Sequence, residues 1–423
     1  MQYKIQPPRT LQATIKLPAS KSISNRALIL HALTQGNIRP QNLSDCDDTN
    51  VMINALQNMP ETIDIMAAGT AMRFLTAYLS VTPGEHIITG TQRMQQRPIR
   101  ILVDALRSIG ASIEYVNNEG YPPLRISGKV LHGSSISLPG DVSSQYISAL
   151  LMIAPTLPQG LQLELTGNII SFPYINLTLQ LMKKFGAEGI QLNGNTITVK
   201  PSRYQDVAFL VENDWSAASY WYQMLALQQC VTKDCENRQD TAKEYIELLG
   251  LFPNSFQGDS RGAQLFEKLG VQTEYTEQGV RLSLQGTPVE YLEENLVDIP
   301  DLAQTFVVTC CLMNIPFRFT GLQSLKIKET DRIEALITEL RKLGYVLQSA
   351  NDSIISWQGE RCQAEEAPVI ATYEDHRMAM AFAPVCQIFG QVNIAHPHVV
   401  SKSYPNYWKD LKLAGFCIEE ESV

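Results

Sequence analysis

The feature that most constrains the fold is a recurrent punctuation. An amphipathic helix ends in a basic residue, an apolar residue and a glycine follow, and a strand-like stretch begins. LVDALRSIGASIEYV, LQLMKKFGAEGIQL, QLFEKLGVQTEY and ITELRKLGYVLQ carry it, with LKLAGFCIEE as a weaker copy. The glycines Gly110, Gly186, Gly270, Gly344 and Gly415 stand 76, 84, 74 and 71 residues apart. A glycine just past a helix whose last turn holds Lys or Arg is a stop signal, because glycine enters the left-handed conformation without a Cβ clash. The period is too long for a solenoid of helix pairs. It suits a unit of several strands and two helices, and a chain of 423 residues holds about six of them.

Within one period the pattern is α/β. Ile333, Leu336, Ile337, Leu340 and Leu343 fall at helical spacing and predict a helix with one buried face. TITVK (196–200) and VRLSL (280–284) alternate as half-buried strands. At 44% hydrophobic and 18% charged, the composition supplies a large core, and the length predicts two domains. No long low-complexity linker separates them, so the boundary must be a short crossover.

The formal net charge is -9. An acidic surface argues against nucleic acid and anionic membrane as partners. Against that background, six cationic or polar segments stand out. They are SKSISNR (20–26), AGTAMR (68–73), RMQQRP (93–98), SSQ (143–145), KETDR (328–332) and DHR (375–377). Most adjoin an apolar helical run, and helix N-termini hold anions. Six such segments predict a substrate with several negative charges.

The eight cysteines form no CxxC pair and the six histidines no ligand-spaced cluster, so no metal site is expected. Cys310 and Cys311, within FVVTCCLM, read as buried thiols. MQYKIQPPRT lacks the apolar core of a signal peptide, and no apolar run is long enough to span a bilayer. A reducing, cytoplasmic setting is expected.

Each segment carries a functional and a bland reading. Ser20-Lys21-Ser22 either binds phosphate or lets Ser22 or Ser24 cap a helix. No Walker A loop is present. Gly69 either admits a ligand to the backbone or makes a tight turn. Arg93 and Arg97, four apart, either clamp a carboxylate or phosphate or sit in a solvated loop. Asp301 is a helix cap or a general base, and Glu329 a first-turn acid or a proton-transfer group, with Thr330 or Asp331 as the cap. The Asp375-His376-Arg377 triplet heads an apolar helix, where its charges must be paired or serve a ligand. Met378 and Met380 read as core.

Taken in order, SKSISNR, AGTAMR, RMQQRP, SSQ, SFPY (171–174), VENDWSAASYW, DIPDLAQT, KIKETDR, TYEDHRMAM and VVSKSYPNY resemble the 5-enolpyruvylshikimate-3-phosphate synthase family, over about Leu17 to Tyr407. The resemblance implies an inside-out α/β barrel fold, with two domains of three βαβαββ units joined by two crossovers. One domain would take residues 1–20 with 213–423, the other 21–212. It implies transfer of the enolpyruvyl group of phosphoenolpyruvate to the 5-hydroxyl of shikimate 3-phosphate, releasing phosphate, with no metal or organic cofactor and a monomeric enzyme.

Carried over residue by residue, Lys21, Ser22, Arg26, Ser143, Ser144, Ser171, Asp301 and Lys328 look like contacts to shikimate 3-phosphate. Lys21, Gly69, Arg97, Gln145, Arg332, Arg377 and Lys402 look like the phosphoenolpyruvate site. Asp301 resembles the base, Glu329 the acid, and Lys21 a further catalytic cation. Domain closure would assemble these groups and exclude water.

The chain departs from the family pattern in places. Between Asn54 and Ala67 it is much shorter, so the β-hairpin that should finish the first unit is expected to be missing. Ala67 stands where Asn is usual, Phe74 where Pro is frequent, and Ser324 where Asn often meets the sugar phosphate. The related enolpyruvyl transferases acting on UDP-N-acetylglucosamine usually have Lys-Asn in place of Lys21-Ser22 and a reactive Cys, which the segment around Arg93 to Arg97 lacks. A catalytically dead anion-binding scaffold of the same fold is the remaining alternative.

Overall fold

Among the residues described by the computed structural model (1–133, 135–233 and 244–421), the strands form five four-stranded sheets. Cys235 lies outside those residues. One sheet shows the repeating pattern plainly. Strand Leu292–Asn295 leads through helix Ala303–Leu312 to strand Phe317–Thr320, then through helix Arg332–Lys342 to strands Gln348–Ala350 and Ile354–Trp357. The first two strands pair in parallel, with Leu292 beside Phe317. The last strand enters antiparallel to both Phe317–Thr320 and Gln348–Ala350. This is a βαβαββ unit: the two helices are the crossovers that parallel pairing demands.

The chain divides into two compact units, Met1–Pro18 with Glu212–Val423, and Ala19–Val211. The first holds three sheets, two of which borrow the N-terminus. Strand Gln2–Gln6 lies antiparallel to both Val392–Ala395 and Cys417–Glu421. Strand Gln12–Lys16 pairs in parallel with Tyr245–Leu249. The second unit holds two sheets, with orders 62–64, 84–89, 124–128, 112–115 and 135–139, 161–166, 196–199, 190–193.

Its remaining repeat is the shortened one. Helices Lys21–Thr34 and Asp47–Asn58 pack together, and a single parallel bridge joins Gln41 to Leu210. Met59 turns left-handed at the end of the second helix, and strand Thr62–Asp64 of the next repeat follows three residues after Asn58. Three residues cannot make a hairpin with two strands. The expected loss of the hairpin is therefore seen as a helix pair without its own sheet.

Where the first helix of a repeat is mostly apolar, it lies inside. All ten residues of Ala303–Leu312 and all seven of His376–Phe382 are buried. In the other unit, helices Gly69–Val81 and Ser144–Ile153 pack on each other and on Lys21–Thr34. The second helix is amphipathic, as in Arg332–Lys342, where Ile333, Leu336 and Leu340 are buried. Strands such as Leu161–Thr166 alternate buried and exposed residues, so each sheet packs one face inward and wets the other. Helices inside and sheets outside make the inside-out barrel. The five marker glycines end their helices with φ between 84 and 102°, as a left-handed stop requires.

Candidate functional site

In the unit 19–211, four helix N-termini carry the segments read from the sequence. Ser20, extended at φ −60° and ψ 115°, caps helix Lys21–Thr34 by accepting from Ile23 N at 3.4 Å. This corrects the expectation that Ser22 or Ser24 is the cap. The helix starts at Lys21, directly after the extended Pro18-Ala19-Ser20 stretch, so both serines lie inside its first turn. Ser24 Oγ instead accepts from Ser44 N at 2.9 Å. Lys21 Nζ stands 3.5 Å from Asp48 Oδ2.

Arg26 is buried and joins three elements. Its Nε donates to Thr178 Oγ1 at 2.7 Å, Nη2 to Ser148 Oγ at 3.2 Å, and Nη1 to the Ser22 carbonyl at 2.9 Å. Its guanidinium sits 5.2 Å from the centre of the Phe74 ring, a cation–π contact. Burial pulls its pKa down to about 10, which leaves it charged at neutral pH. Arg26 therefore draws the first turn of its own helix toward helices Ser144–Ile153 and Phe172–Lys184.

Ser143 caps the first of those two, accepting from Gln145 N at 3.4 Å. Gln145 Nε2 donates to Thr70 Oγ1 at 3.1 Å, tying that helix start to the Gly69 helix. Ser171 precedes Phe172–Lys184 in the left-handed conformation, φ 55°, and is buried. A non-glycine residue held there is strained, as is common at functional sites.

Gly69 opens helix Gly69–Val81 with no side-chain cap. A Cβ at Gly69 would lie 2.8 Å from Arg97 Nη1 and 2.9 Å from Arg73 Nη1. Both distances are shorter than real Cβ contacts, so a larger residue here would displace the two guanidinium groups. Of the two readings of Arg93 and Arg97, the solvated loop holds for Arg93. Arg93 is exposed at the start of a 3-10 turn, and the arginine that joins Arg97 at Gly69 is Arg73.

In the unit built from 1–18 and 212–423, the segments around Asp301, Glu329, Asp375 and Arg377 meet at one buried arginine. Arg332 is 1% exposed. It donates from Nε to Asp375 Oδ2 at 2.7 Å, from Nη1 to Asp301 Oδ1 at 3.1 Å and from Nη2 to Glu329 Oε2 at 2.9 Å. Burial pulls its pKa down, but Asp375, Glu329 and Asp301 outweigh that and hold it above its ordinary value. Arg377 Nη2 donates to Asp301 Oδ2 at 2.9 Å, and Lys328 Nζ lies 3.6 Å from Asp301 Oδ1. Asp301 is thus surrounded by three cations.

Asp301 does not cap the helix that follows it. It sits in a 3-10 turn, Pro300–Leu302, and no side chain caps Ala303–Leu312. Asp331, by contrast, caps helix Arg332–Lys342 by accepting from Glu334 N at 3.2 Å, which leaves Glu329 before the helix. Asp375 caps helix His376–Phe382 through Arg377 N at 2.9 Å and is fully buried. The charged triplet is paired, as a buried one must be. Tyr373 and Glu374 are both left-handed, φ 54° and 56°, and the Glu374 carbonyl accepts from Lys402 Nζ at 2.7 Å. Cys310 and Cys311 are fully buried, and burial pushes both thiols up.

Two participants had no signal of their own in the sequence. Tyr220, whose hydroxyl accepts from Arg377 Nη1 at 3.5 Å, is pushed up to about 12, chiefly by burial. Asp259 is buried, accepts from Ser216 Oγ, and is pushed up to about 7 by burial and then by the charge of Asp301. Both lie on other elements, so only folding reveals them.

Cations beside hydroxyls and helix N-termini can bind anions, and carboxylates can take part in proton transfer. The family described as EPSP synthase (3-phosphoshikimate 1-carboxyvinyltransferase) matches residues 5–65 and 57–411. A 3-phosphoshikimate 1-carboxyvinyltransferase of Bacteroides fragilis is 65% identical over 419 residues, covering 99% of each chain. One from Vibrio campbellii is 36% identical over 440 residues, covering 96% of this chain and 98% of its own. The EPSP synthase structure from Acinetobacter baumannii shares the fold at a TM-score of 0.79, with 19% identity, over 99% of this chain and 100% of that one. The chain belongs to the EPSP synthase family.

Proposed function

We propose a division of labour between the two clusters for the reaction of this family. That reaction transfers the enolpyruvyl group of phosphoenolpyruvate to the 5-hydroxyl of shikimate 3-phosphate and releases phosphate, on the route to chorismate and aromatic amino acids. Asp301 takes the proton of the 5-hydroxyl as the oxygen attacks C2 of phosphoenolpyruvate. Glu329 gives a proton to the methylene carbon. The tetrahedral intermediate then loses phosphate, which takes the proton that Asp301 had accepted, the new methyl group returns a proton to Glu329, and Lys21 stabilises the departing charge.

The observation that carries this reading is the pair Asp301 and Glu329 on neighbouring nitrogens of one guanidinium. Two carboxylates sharing one cation exchange protons as a coupled pair. Three cations, Arg332, Arg377 and Lys328, surround Asp301 at the same place. For the anionic groups, Lys21, Ser22, Arg26, Ser143, Ser144 and Ser171, with Asp301 and Lys328, take shikimate 3-phosphate. Lys21, Gly69, Arg97 and Gln145, with Arg332, Arg377 and Lys402, take phosphoenolpyruvate. The two units of the chain act as the two domains of the enzyme.

The enzyme acts as a monomer in the cytoplasm in this reading. Support for the compartment comes from the described cysteines, which are free thiols as in a reducing setting. Among the described residues no helix is long and apolar enough to cross a membrane. Phosphate release from phosphoenolpyruvate, with and without shikimate 3-phosphate, tests the reaction. Release that depends on shikimate 3-phosphate is expected. Binding of shikimate 3-phosphate without release would leave an anion-binding scaffold, and neither would point to the UDP-sugar acceptor.

A further inference from the structure

We propose that Arg73 is a positioning residue of the phosphoenolpyruvate site: with Arg97 it makes a two-guanidinium seat over Gly69 for one anionic group. The inference rests on the proposed placement of phosphoenolpyruvate at Gly69 and Arg97.

The geometry is local to one unit. Arg73 is a buried cation on the first turns of helix Gly69–Val81, and its Nη1 donates to the Gly69 carbonyl at 2.9 Å. The same Nη1 and Arg97 Nη1 both lie within 3 Å of the point where a Gly69 Cβ would stand. Two like charges flanking one spot repel each other, and a carboxylate or phosphate oxygen between them turns that repulsion into attraction.

The second partner of Arg73 is Tyr146. Its ring centre is 5.8 Å from the guanidinium, and its hydroxyl donates to the Pro98 carbonyl at 2.6 Å, next to Arg97. Tyr146 follows Gln145, whose amide holds Thr70. Arg73 therefore touches both segments that shape the seat, the Gly69 turn and, through Tyr146, the Arg97 loop. An arginine suits this, because its guanidinium spans the Gly69 carbonyl and the Tyr146 ring, where a lysine offers only a point charge.

Steady-state kinetics of Arg73→Met and Arg73→Lys, with each substrate varied, test the assignment. In Arg73→Met the KM for phosphoenolpyruvate is expected to rise about 10- to 100-fold, the scale of one charge-assisted contact. The KM for shikimate 3-phosphate should move less than about threefold, and Arg73→Lys should recover part of the loss. A merely structural arginine would lower the melting temperature and leave the phosphoenolpyruvate KM where it was, or raise both KM values alike. Either result overturns the proposal.

Should Arg73→Met not fold, competitive inhibition of Arg73→Lys by inorganic phosphate against phosphoenolpyruvate replaces it. Weaker inhibition is expected, and unchanged inhibition overturns the proposal. Arg97→Met, run in parallel, separates the two levels. An unchanged phosphoenolpyruvate KM there removes the placement itself. A raised KM in Arg97→Met with none in Arg73→Met removes only the role of Arg73.

Discussion

The two clusters use the same fold elements for opposite electrostatic ends. In the unit built from 1–18 and 212–423, cations face carboxylates: Arg332 binds three of them and Asp301 meets three cations. In the unit 19–211, Arg73 and Arg97 face a glycine and its carbonyl, and Arg26 is held by hydroxyls and a carbonyl. Both arrangements are made by segments at helix starts. The side chain that the first turn presents decides the outcome. Acids beside a buried arginine give groups whose proton affinities depend on one another, whereas small and hydroxyl residues beside arginine give an anion seat. Helix N-termini thus fix where polar chemistry is placed, and a few side chains fix its sign.

Removing Asp301 is the strongest way to break the contrast. Asp301→Ala should lower turnover by about 10²–10⁴-fold, the usual worth of a general base, with shikimate 3-phosphate binding largely kept. Calorimetric titration beside single-turnover rates checks it. If binding weakens as much as the rate falls, Asp301 is mainly a ligand, and the Arg332 cluster holds substrate as the Gly69 cluster does.

Adding one methyl group attacks the opposite cluster. Gly69→Ala pushes a carbon into the space flanked by Arg97 and Arg73. Guanidinium ends can shift by some tenths of an ångström, so the fold should survive, and the KM for phosphoenolpyruvate should rise roughly tenfold, equivalent to about 1.4 kcal/mol. Steady-state KM values for both substrates read it. An equal rise for shikimate 3-phosphate would show that the seat does not discriminate between the two anions.

The mildest change concerns the buried acid of the first cluster. Asp259 is pushed up to about 7, by burial and by Asp301, against 3.8 for a free aspartate. Between these values the folded chain holds a proton that the unfolded chain has released, so stability falls as pH rises through that window. Asp259→Asn removes the titration. Relative to the parent chain it should be more stable at pH 8 than at pH 5, by about 1 kcal/mol or more, which is the scale of one pKa unit. Urea unfolding at both pH values measures the difference, and a pH-independent difference would show that Asp259 stays ionised, or neutral, throughout.

Much of the architecture is legible in residues close together in the chain. The five glycines after basic helix ends mark helix stops because left-handed φ is a local property of one residue. The apolar runs around Cys310 and Met378 predict inner helices because a helix without a polar face has no stable place in water. The short stretch before Ala67 announces the missing hairpin because two strands need a minimum length of chain. The charged segments likewise declare an anionic substrate, and their order along the chain carries the resemblance to the family.

What the sequence by itself left open was decided over distance. Arg93 and Arg97 are neighbours in the chain, yet Arg73 is the arginine that meets Arg97 at Gly69, because a helix start and a loop from different elements converge there. Asp301 reads equally as cap or base until Arg332 and Arg377 occupy its two oxygens. Asp259 carries no signal in the sequence, and it is burial that raises its proton affinity. Local propensity depends on neighbouring residues and is written in the chain. Charge pairing and desolvation depend on which remote groups come within a few ångströms, and only the tertiary structure sets those distances.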